Sequence, residues 1–177
     1  MLRNTFMKVA IFSIALTVSA SAIAQEQGDM AAGGNMVLGV GGDHTHFGIG
    51  GKFLYNLTDP IRLAGEFDFF PKTDDFTWWD ISVYGHYIFP LIEKISVYPL
   101  VGIGIIGIQW SYDYGILGKH SESINGFVFS PGGGVEFKLL PNLALNAEVR
   151  FKFIKFSDDD DVSGRRTNFV VGLAYKF

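Results

Sequence analysis

Four short segments of the 177-residue chain contain residue types that can carry out chemistry. The first consists of Gly102, Gly104 and Gly107, which match the G-x-G-x-x-G pattern of dinucleotide-binding loops. That pattern functions where a helix follows the glycines, because the helix N-terminus holds the pyrophosphate. Here residues 108–110 (IQW) continue strand character instead. The glycines therefore favour a crowded strand over a nucleotide site, and no cofactor is expected.

The segment from Asp43 to His46 (DHTH) offers imidazole and carboxylate groups to a transition metal. A zinc site needs three or four protein ligands. The chain has no cysteine, and the other two histidines, His86 and His120, are far away in sequence. The segment is interpreted as a polar hairpin tip, and no metal site is predicted.

The tripeptide His120-Ser121-Glu122 combines the residue types of a hydrolytic relay. Such a relay is defined by geometry and not by adjacency in sequence. The three residues lie in a polar stretch without an apolar segment that could form an acyl pocket, so a surface loop is the simpler interpretation and no catalytic residue is predicted.

The strongest charge pattern is a run of four aspartates, Asp158, Asp159, Asp160 and Asp161. Carboxylate oxygens suit hard cations such as Ca²⁺ and Mg²⁺, but the spacing is not that of an EF-hand loop. A solvated loop is one interpretation of this run. A cation-binding loop is the other.

The N-terminal residues indicate export. Arg3 and Lys8 provide a positive start, Val9–Ala20 is an uncharged apolar run, and a small-x-small site (AIA) follows. This arrangement predicts a secretory signal peptide over residues 1–24. The mature domain is then expected over residues 25–177.

The composition narrows the classes of protein that the mature chain could be. Removing Arg3 and Lys8 changes the formal net charge from −4 to −6, which argues against a nucleic-acid partner. Without cysteine, an exported chain must rely on backbone pairing and packing for its stability. The chain is 48% hydrophobic, yet the mature part has no apolar stretch long enough for a helical span. Alternating strands reconcile these observations.

Clusters of Gly, Pro, Asn and Asp divide the mature chain into eight candidate strands. The predicted strands span residues 34–42, 46–55, 61–70, 77–89, 95–111, 124–139, 143–156 and 167–177. Most can cross a bilayer, which takes roughly 9 to 11 tilted residues. The predicted connections alternate between short turns at 56–60, 90–94 and 140–142 and longer polar loops at 112–123 and 157–166. Both termini are expected at the short-turn end.

The strand faces follow from assuming antiparallel hairpins around the short turns. The assumed pairs are Phe53 with Leu63, Tyr87 with Val97 and Phe137 with Leu145, which keep apolar residues on one face. The opposite face then collects Lys52, Arg62, Glu66, Asp68, Asp80, His86, Glu136, Lys138, Asn146, Glu148, Arg150 and Lys152. An eight-stranded barrel is about filled by its own side chains, so these charges are expected to pair inside it. In this register Lys52 is diagonal to Glu66.

Aromatic residues decide which face is inside, because a soluble lipocalin-like barrel shows the reverse alternation. Two groups lie at opposite strand ends: Trp78, Trp79, Trp110 and Tyr112 at the long-loop end, and Tyr55, Tyr87, Phe89 and Phe177 at the short-turn end. Two aromatic belts are typical of two membrane interfaces. The polar face is therefore predicted to point inward.

The last strand places Phe169, Val171, Leu173, Tyr175 and Phe177 on one face. With the strand count and the belts, this ending resembles small eight-stranded outer-membrane β-barrel proteins, the OmpX-type and OmpA-type barrels of the porin-like family. The resemblance implies an all-β fold, an eight-stranded antiparallel up-and-down transmembrane β-barrel in the bacterial outer membrane. It also implies that Tyr175 and Phe177 form an assembly signal for the barrel-assembly machinery.

The resemblance also implies a class of function. The leading hypothesis is a non-enzymatic envelope protein with a structural or surface-interaction role through its extracellular loops. A narrow channel for small solutes, a lipid-modifying enzyme and a soluble ligand-binding barrel are the alternatives. A monomer is expected, and its expected partners are outer-membrane lipid and lipopolysaccharide, with the aspartates at 158–161 as a cation-bridged contact.

Overall fold

The computed structural model describes residues 27–42, 44–73, 76–113, 119–156 and 163–177. The predicted signal peptide and the aspartates at 158–161 lie outside the described residues. No helix within the described residues is long and apolar enough to span a membrane.

Long strands make up almost all of the described chain. They are β1 (Met30–Gly41), β2 (His44–Asn56), β3 (Ile61–Thr73), β4 (Phe76–Tyr87), β5 (Phe89–Ile92), β6 (Ile95–Asp113), β7 (Lys119–Leu140), β8 (Leu143–Phe156) and β9 (Ser163–Lys176). Apolar and polar residues alternate in most of them, which suits a strand with two different environments on its two faces.

The strands close into a barrel. Strands that are neighbours in sequence pair antiparallel, apart from β4 and β5, and β1 pairs with β9 from Ala31–Lys176 to Val40–Thr167. Strands β4 and β5 both pair with β6, because they are two parts of one strand interrupted at Ile88. The Ile88 amide donates instead to the Pro60 carbonyl at 2.7 Å. This confirms the predicted eight-stranded antiparallel barrel.

Several strands extend into segments predicted as turns or loops, so those boundaries were wrong. Strand β6 runs to Asp113, β7 begins at Lys119, and β9 begins at Ser163. Strand β5 continues to Ile92, which reduces the turn predicted at 90–94 to two residues. Hairpin pairing satisfies backbone groups whatever the side chains are, so polar composition did not mark these strand ends.

The predicted registers are partly correct. Phe137 pairs with Leu145, as predicted. Leu63, however, lies opposite Tyr55 and not opposite Phe53. The turn between β2 and β3 lies closer to β3 than assumed, because Thr58 and Ile61 exchange two backbone hydrogen bonds of 3.2 Å.

The same two-residue shift occurs at the next short turn, where Val97 pairs with Phe89 instead of Tyr87. Because side chains alternate with a period of two, a shift of two leaves every side chain on its predicted face. One consequence is that Lys52 lies directly opposite Glu66, and not diagonal to it.

The outer face is an apolar surface and the inner face encloses polar layers. Phe47 and Val171, for example, are 53% and 51% exposed on the outside. Inside, an apolar cluster lies at the short-turn end and two lie at the long-loop end. The first contains Leu54, Ala64, Tyr84, Ile88, Tyr98, Leu100 and Ala174; the others contain Val37, Phe70 and Val170, and Ile106, Val128 and Ile154.

Among the predicted belt residues whose side chains the structure describes, Trp78 faces the other way; the side chains of Trp110 and Tyr112 are not described. Trp78 packs against both apolar clusters at the long-loop end, with its ring centroid 6.5 Å from that of Phe70. Adjacent strand residues point to opposite faces, so Trp78 and Trp79 cannot both belong to an outer belt. Trp79 lies over Gly107 on the outer face. Trp78 therefore helps to close the interior.

Candidate functional site

The barrel interior contains a balanced set of buried charges. Among the described residues, five buried side chains are cationic and five are anionic. The cations are Lys52, Arg62, Arg150, Lys152 and Arg166, and the anions are Glu66, Asp68, Asp80, Glu136 and Glu148. Buried charges are tolerated when they are paired and hydrogen-bonded, so equal numbers of each sign permit a neutral interior.

Arg150 lies at the centre of this set. Its Nη1 and Nη2 donate to Glu66 Oε2 and Oε1 at 2.7 and 2.9 Å, and its Nε donates to Glu148 at 2.7 Å. The guanidinium carbon also lies 4.2 Å from the ring centroid of Tyr84. Asn35 donates to Glu66 Oε2 at 3.2 Å. Bidentate pairing of this kind fixes both partners in one geometry.

Glu148 connects Arg150 to neighbouring polar groups. Its Oε1 accepts hydrogen bonds from the Tyr98 hydroxyl at 2.8 Å and from the Asn146 amide at 2.7 Å. Lys52 donates in turn to the Asn146 side-chain oxygen. The middle of the barrel is thus crossed by a continuous network.

A second pair lies toward the short-turn end, where Arg62 Nη1 donates to Glu136 at 2.7 Å. The Arg62 Nε donates to His86 Nδ1 at 3.4 Å, and the His86 ring stacks on Tyr98 with centroids 4.8 Å apart. A cavity of about 380 Å³ opens at this end, and Lys138 is one of its lining residues together with Arg62 and Glu136. This ion pair therefore lies where the cavity meets the interior.

A third group lies toward the long-loop end. Asp80 is paired with Lys152, and Arg166 Nη2 lies 3.7 Å from the same carboxylate. The Arg166 guanidinium carbon is 4.6 Å from the Phe70 ring centroid and 5.0 Å from that of Trp78. Apolar side chains thus cover the charges at this end.

Glycines on the inner face provide room for the large side chains. A β-carbon at Gly134 would lie 2.7 Å from the Tyr98 ring, and one at Gly102 would overlap the Tyr84 ring. Alternation of small and large residues is how a narrow barrel is filled. Gly102 and Gly104 lie within β6, which continues as a strand to Asp113.

Six buried or half-buried polar side chains have no hydrogen-bond partner at any of their polar atoms among the described residues. Two of them are Asp68, through both carboxylate oxygens, and Asn168, through both amide atoms; the others are Trp78, Tyr84, Ser130 and Arg166. Unsatisfied buried polar atoms in a polar site are commonly hydrated. The long-loop half of the network can therefore accommodate water between its fixed ion pairs.

The structure brings eleven of the twelve residues predicted on the inner polar face into buried positions, and Lys138 lies at the cavity. Sequence reasoning missed Arg166, which it assigned to a loop. Arg166 continues the inward alternation of Asn168 and Val170 by one more step, so the pattern could have identified it. Tyr84 and Tyr98 were missed as well. Each occupies an inward-facing position in the alternation of its strand, β4 or β6, so the same pattern would have placed them inside.

The remaining chemical motifs have different outcomes. His46 points inward and its ring centroid lies 4.5 Å from that of Trp78, whereas Asp43 lies outside the described residues. Residues 120–122 belong to β7, but their side chains are not described. In the described ranges no group of three His, Cys, Asp or Glu side chains could hold a metal ion.

Similarity to solved structures agrees with this architecture. Neisserial surface protein A is 19% identical, with a TM-score of 0.62 over 84% of this chain and 96% of that chain. The N-terminal β-barrel domain of OprF from Pseudomonas aeruginosa is 15% identical, with a TM-score of 0.56 over 86% and 100% of the two chains. Ail, the attachment invasion locus protein of Yersinia pestis, is 19% identical, with a TM-score of 0.53 over 85% and 99%. At these identities the likeness shows the fold.

A family model gives the assignment. No curated protein matches the chain by sequence. The model of the outer membrane protein β-barrel domain, however, matches residues 9–177, which is nearly the whole chain. The protein therefore belongs to this family of bacterial outer-membrane β-barrels.

Proposed function

We propose that the protein is a non-enzymatic, non-conducting outer-membrane protein with a structural role in the envelope and a surface-interaction role at its long-loop end. The observation that carries the proposal is the filled interior. Arg150, Glu66 and Glu148 bridge the lumen, and the apolar clusters described above lie on both sides of them. Such an interior offers no open path for hydrated solutes.

The long-loop end supplies the surface for interaction. Within the described residues, strand β6 pairs with β4 as far as Trp110, and β7 pairs with β8 from Gly126 onward. Strands β6 and β7 also pair with each other up to Asp113–Lys119, and this long hairpin is the proposed contact surface.

Outer-membrane lipid and lipopolysaccharide are the proposed partners of the folded, monomeric protein. The outward apolar face contacts the lipid chains, and the aspartates at 158–161 are proposed to reach lipopolysaccharide phosphates through divalent cations. The barrel-assembly machinery is the proposed partner during insertion, and it would recognise Tyr175 and Phe177.

Planar-bilayer recording tests the non-conducting role. The parent protein is expected to give no steady conductance steps. A matched variant with Glu66, Tyr84, Arg150, Phe70 and Trp78 all replaced by alanine removes the central side chains and part of the apolar clusters at the long-loop end without changing the net charge, and it should conduct. Heat-modifiable gel mobility verifies that both proteins are folded before recording. Reproducible porin-sized steps from the parent would contradict the proposal.

A narrow channel is the second candidate, and the partnerless side chains of Asp68 and Asn168 favour it. Water beside these groups, together with the cavity at the short-turn end, would form part of a path. The apolar clusters still separate that water from the outer solution. The same recordings decide between the two candidates.

A further inference from the structure

The outward face of the barrel has one concentration of charge. Among the outward-facing strand side chains that the structure describes, Lys155 in β8 and Arg165 in β9 are the only charged ones. Lys155 pairs with Ser163, and Arg165 pairs with Phe153. The two cations are therefore diagonal neighbours on adjacent strands, about 7–8 Å apart at the backbone and within reach of one ligand.

Their height along the barrel places them at a membrane interface. The apolar outer face of β8 extends from Leu143 to Phe153. At about 3.3 Å per residue and a tilt of about 40°, this segment spans about 25 Å along the membrane normal, which is the usual height of the apolar band. Arg165 and Lys155 lie at the long-loop end of that band, and the termini lie at the other end.

Other side chains support this boundary. Several other outward positions at the same end are polar but uncharged, as at Thr45, Gln109 and Asn125. Arg165 is also held against the membrane-facing surface, because its guanidinium carbon lies 5.9 Å from the Phe153 ring centroid. An arginine over an aromatic ring keeps its charge at the edge of the apolar band.

We propose that Lys155 and Arg165 form a binding site for the phosphate groups of outer-leaflet lipid. Two neighbouring cations match a phosphate in charge, and arginine matches it in hydrogen-bond geometry. The site lies on the barrel wall and not in a loop. The inference names the residues that make the lipid contact proposed above, and it rests on that proposal. It does not depend on whether the barrel conducts ions.

Binding of bisphosphorylated lipid A to the folded mature protein in detergent micelles tests the site. The test variant is Lys155→Gln with Arg165→Gln. The matched control, Lys94→Gln with Lys176→Gln, removes the same charge from the short-turn end. Each cation near an anionic lipid surface contributes about fivefold, so the test variant, which lacks two, should bind lipid A about 25-fold more weakly. The control should bind within about twofold of the parent.

Two further arms separate phosphate recognition by this site from nonspecific lipid binding and from cation bridging. Lipid A without phosphates should bind the parent and the test variant equally, because the cations recognise phosphate. In EDTA the difference between test and control variants should persist, whereas a contact that requires bridging cations at residues 158–161 would disappear. The proposal would be overturned if the test and control variants bound lipid A equally. It would also be overturned if the test variant lost as much affinity for the phosphate-free lipid as for lipid A, or if the difference between the test and control variants disappeared in EDTA.

Discussion

Replacement of Glu66 by glutamine should strongly destabilise the barrel. The substitution keeps the size of the side chain but removes the negative charge that accepts two hydrogen bonds from Arg150. Arg150 is fully buried and cannot move its charge into water. The interior would then contain four buried anions and five buried cations, which leaves one positive charge uncompensated. Removing one partner of a buried ion pair costs about 3–5 kcal/mol, which is the expected loss in the free energy of unfolding.

Urea unfolding of the mature protein in lipid vesicles, followed by tryptophan fluorescence, measures this loss. The matched control is Asp29→Asn, which breaks the Asp29–Lys176 pair of 2.5 Å at the barrel rim. The Lys176 side chain is 45% exposed there, so the control should lose at most about 1 kcal/mol. Adding Lys52→Met to Glu66→Gln restores neutrality and should recover part of the loss. A loss for Glu66→Gln no larger than that of Asp29→Asn would refute the reasoning.

Three further predictions concern packing, assembly and the acidic loop. Gly102→Leu should lower the free energy of unfolding by about 1–3 kcal/mol in the same assay, because the leucine side chain would overlap Tyr84. The outward-facing Gly65 has open space around it, so Gly65→Leu should lower this free energy less. Equal losses for the two variants would count against a filled lumen. Deletion of Phe177 should lower the membrane-inserted fraction while export continues, and unchanged heat-modifiable gel bands would argue against an assembly role. Replacing the four aspartates at 158–161 by asparagine should weaken Mg²⁺-dependent binding to lipopolysaccharide in a titration; identical affinities with and without Mg²⁺ would leave a solvated loop.

Much of the fold could be predicted because a barrel strand has a period of two. The parity of Glu66, Glu148 and Arg150 alone placed them on the inner face, and the two-residue register error at Leu63 did not alter any face. Strand ends were harder to predict, since they depend on hairpin pairing and not on composition. Arg166 was missed for this reason, as β9 begins inside a stretch that is polar in sequence.

The partners within the interior could not be predicted from the sequence. Parity shows that Arg150 and Glu66 share a face, but they are 84 positions apart and belong to β8 and β3, which are not neighbours in the sheet. Their contact depends on the width of the closed lumen. Nor could residue type show that Trp78, and not Trp79, faces inward, because both suit a membrane interface.

Solvent exchange of arginine side-chain protons tests the filled interior most directly. In NMR spectra of the mature protein in lipid nanodiscs, the Nε–H of Arg150 should exchange with water far more slowly than that of Arg165. The first donates to Glu148 inside the barrel, and the second lies on the exposed outer face, so Arg165 is an internal reference. Exchange at Arg150 as fast as at Arg165 would mean that bulk water reaches the centre of the lumen, and it would contradict a barrel closed by its own side chains.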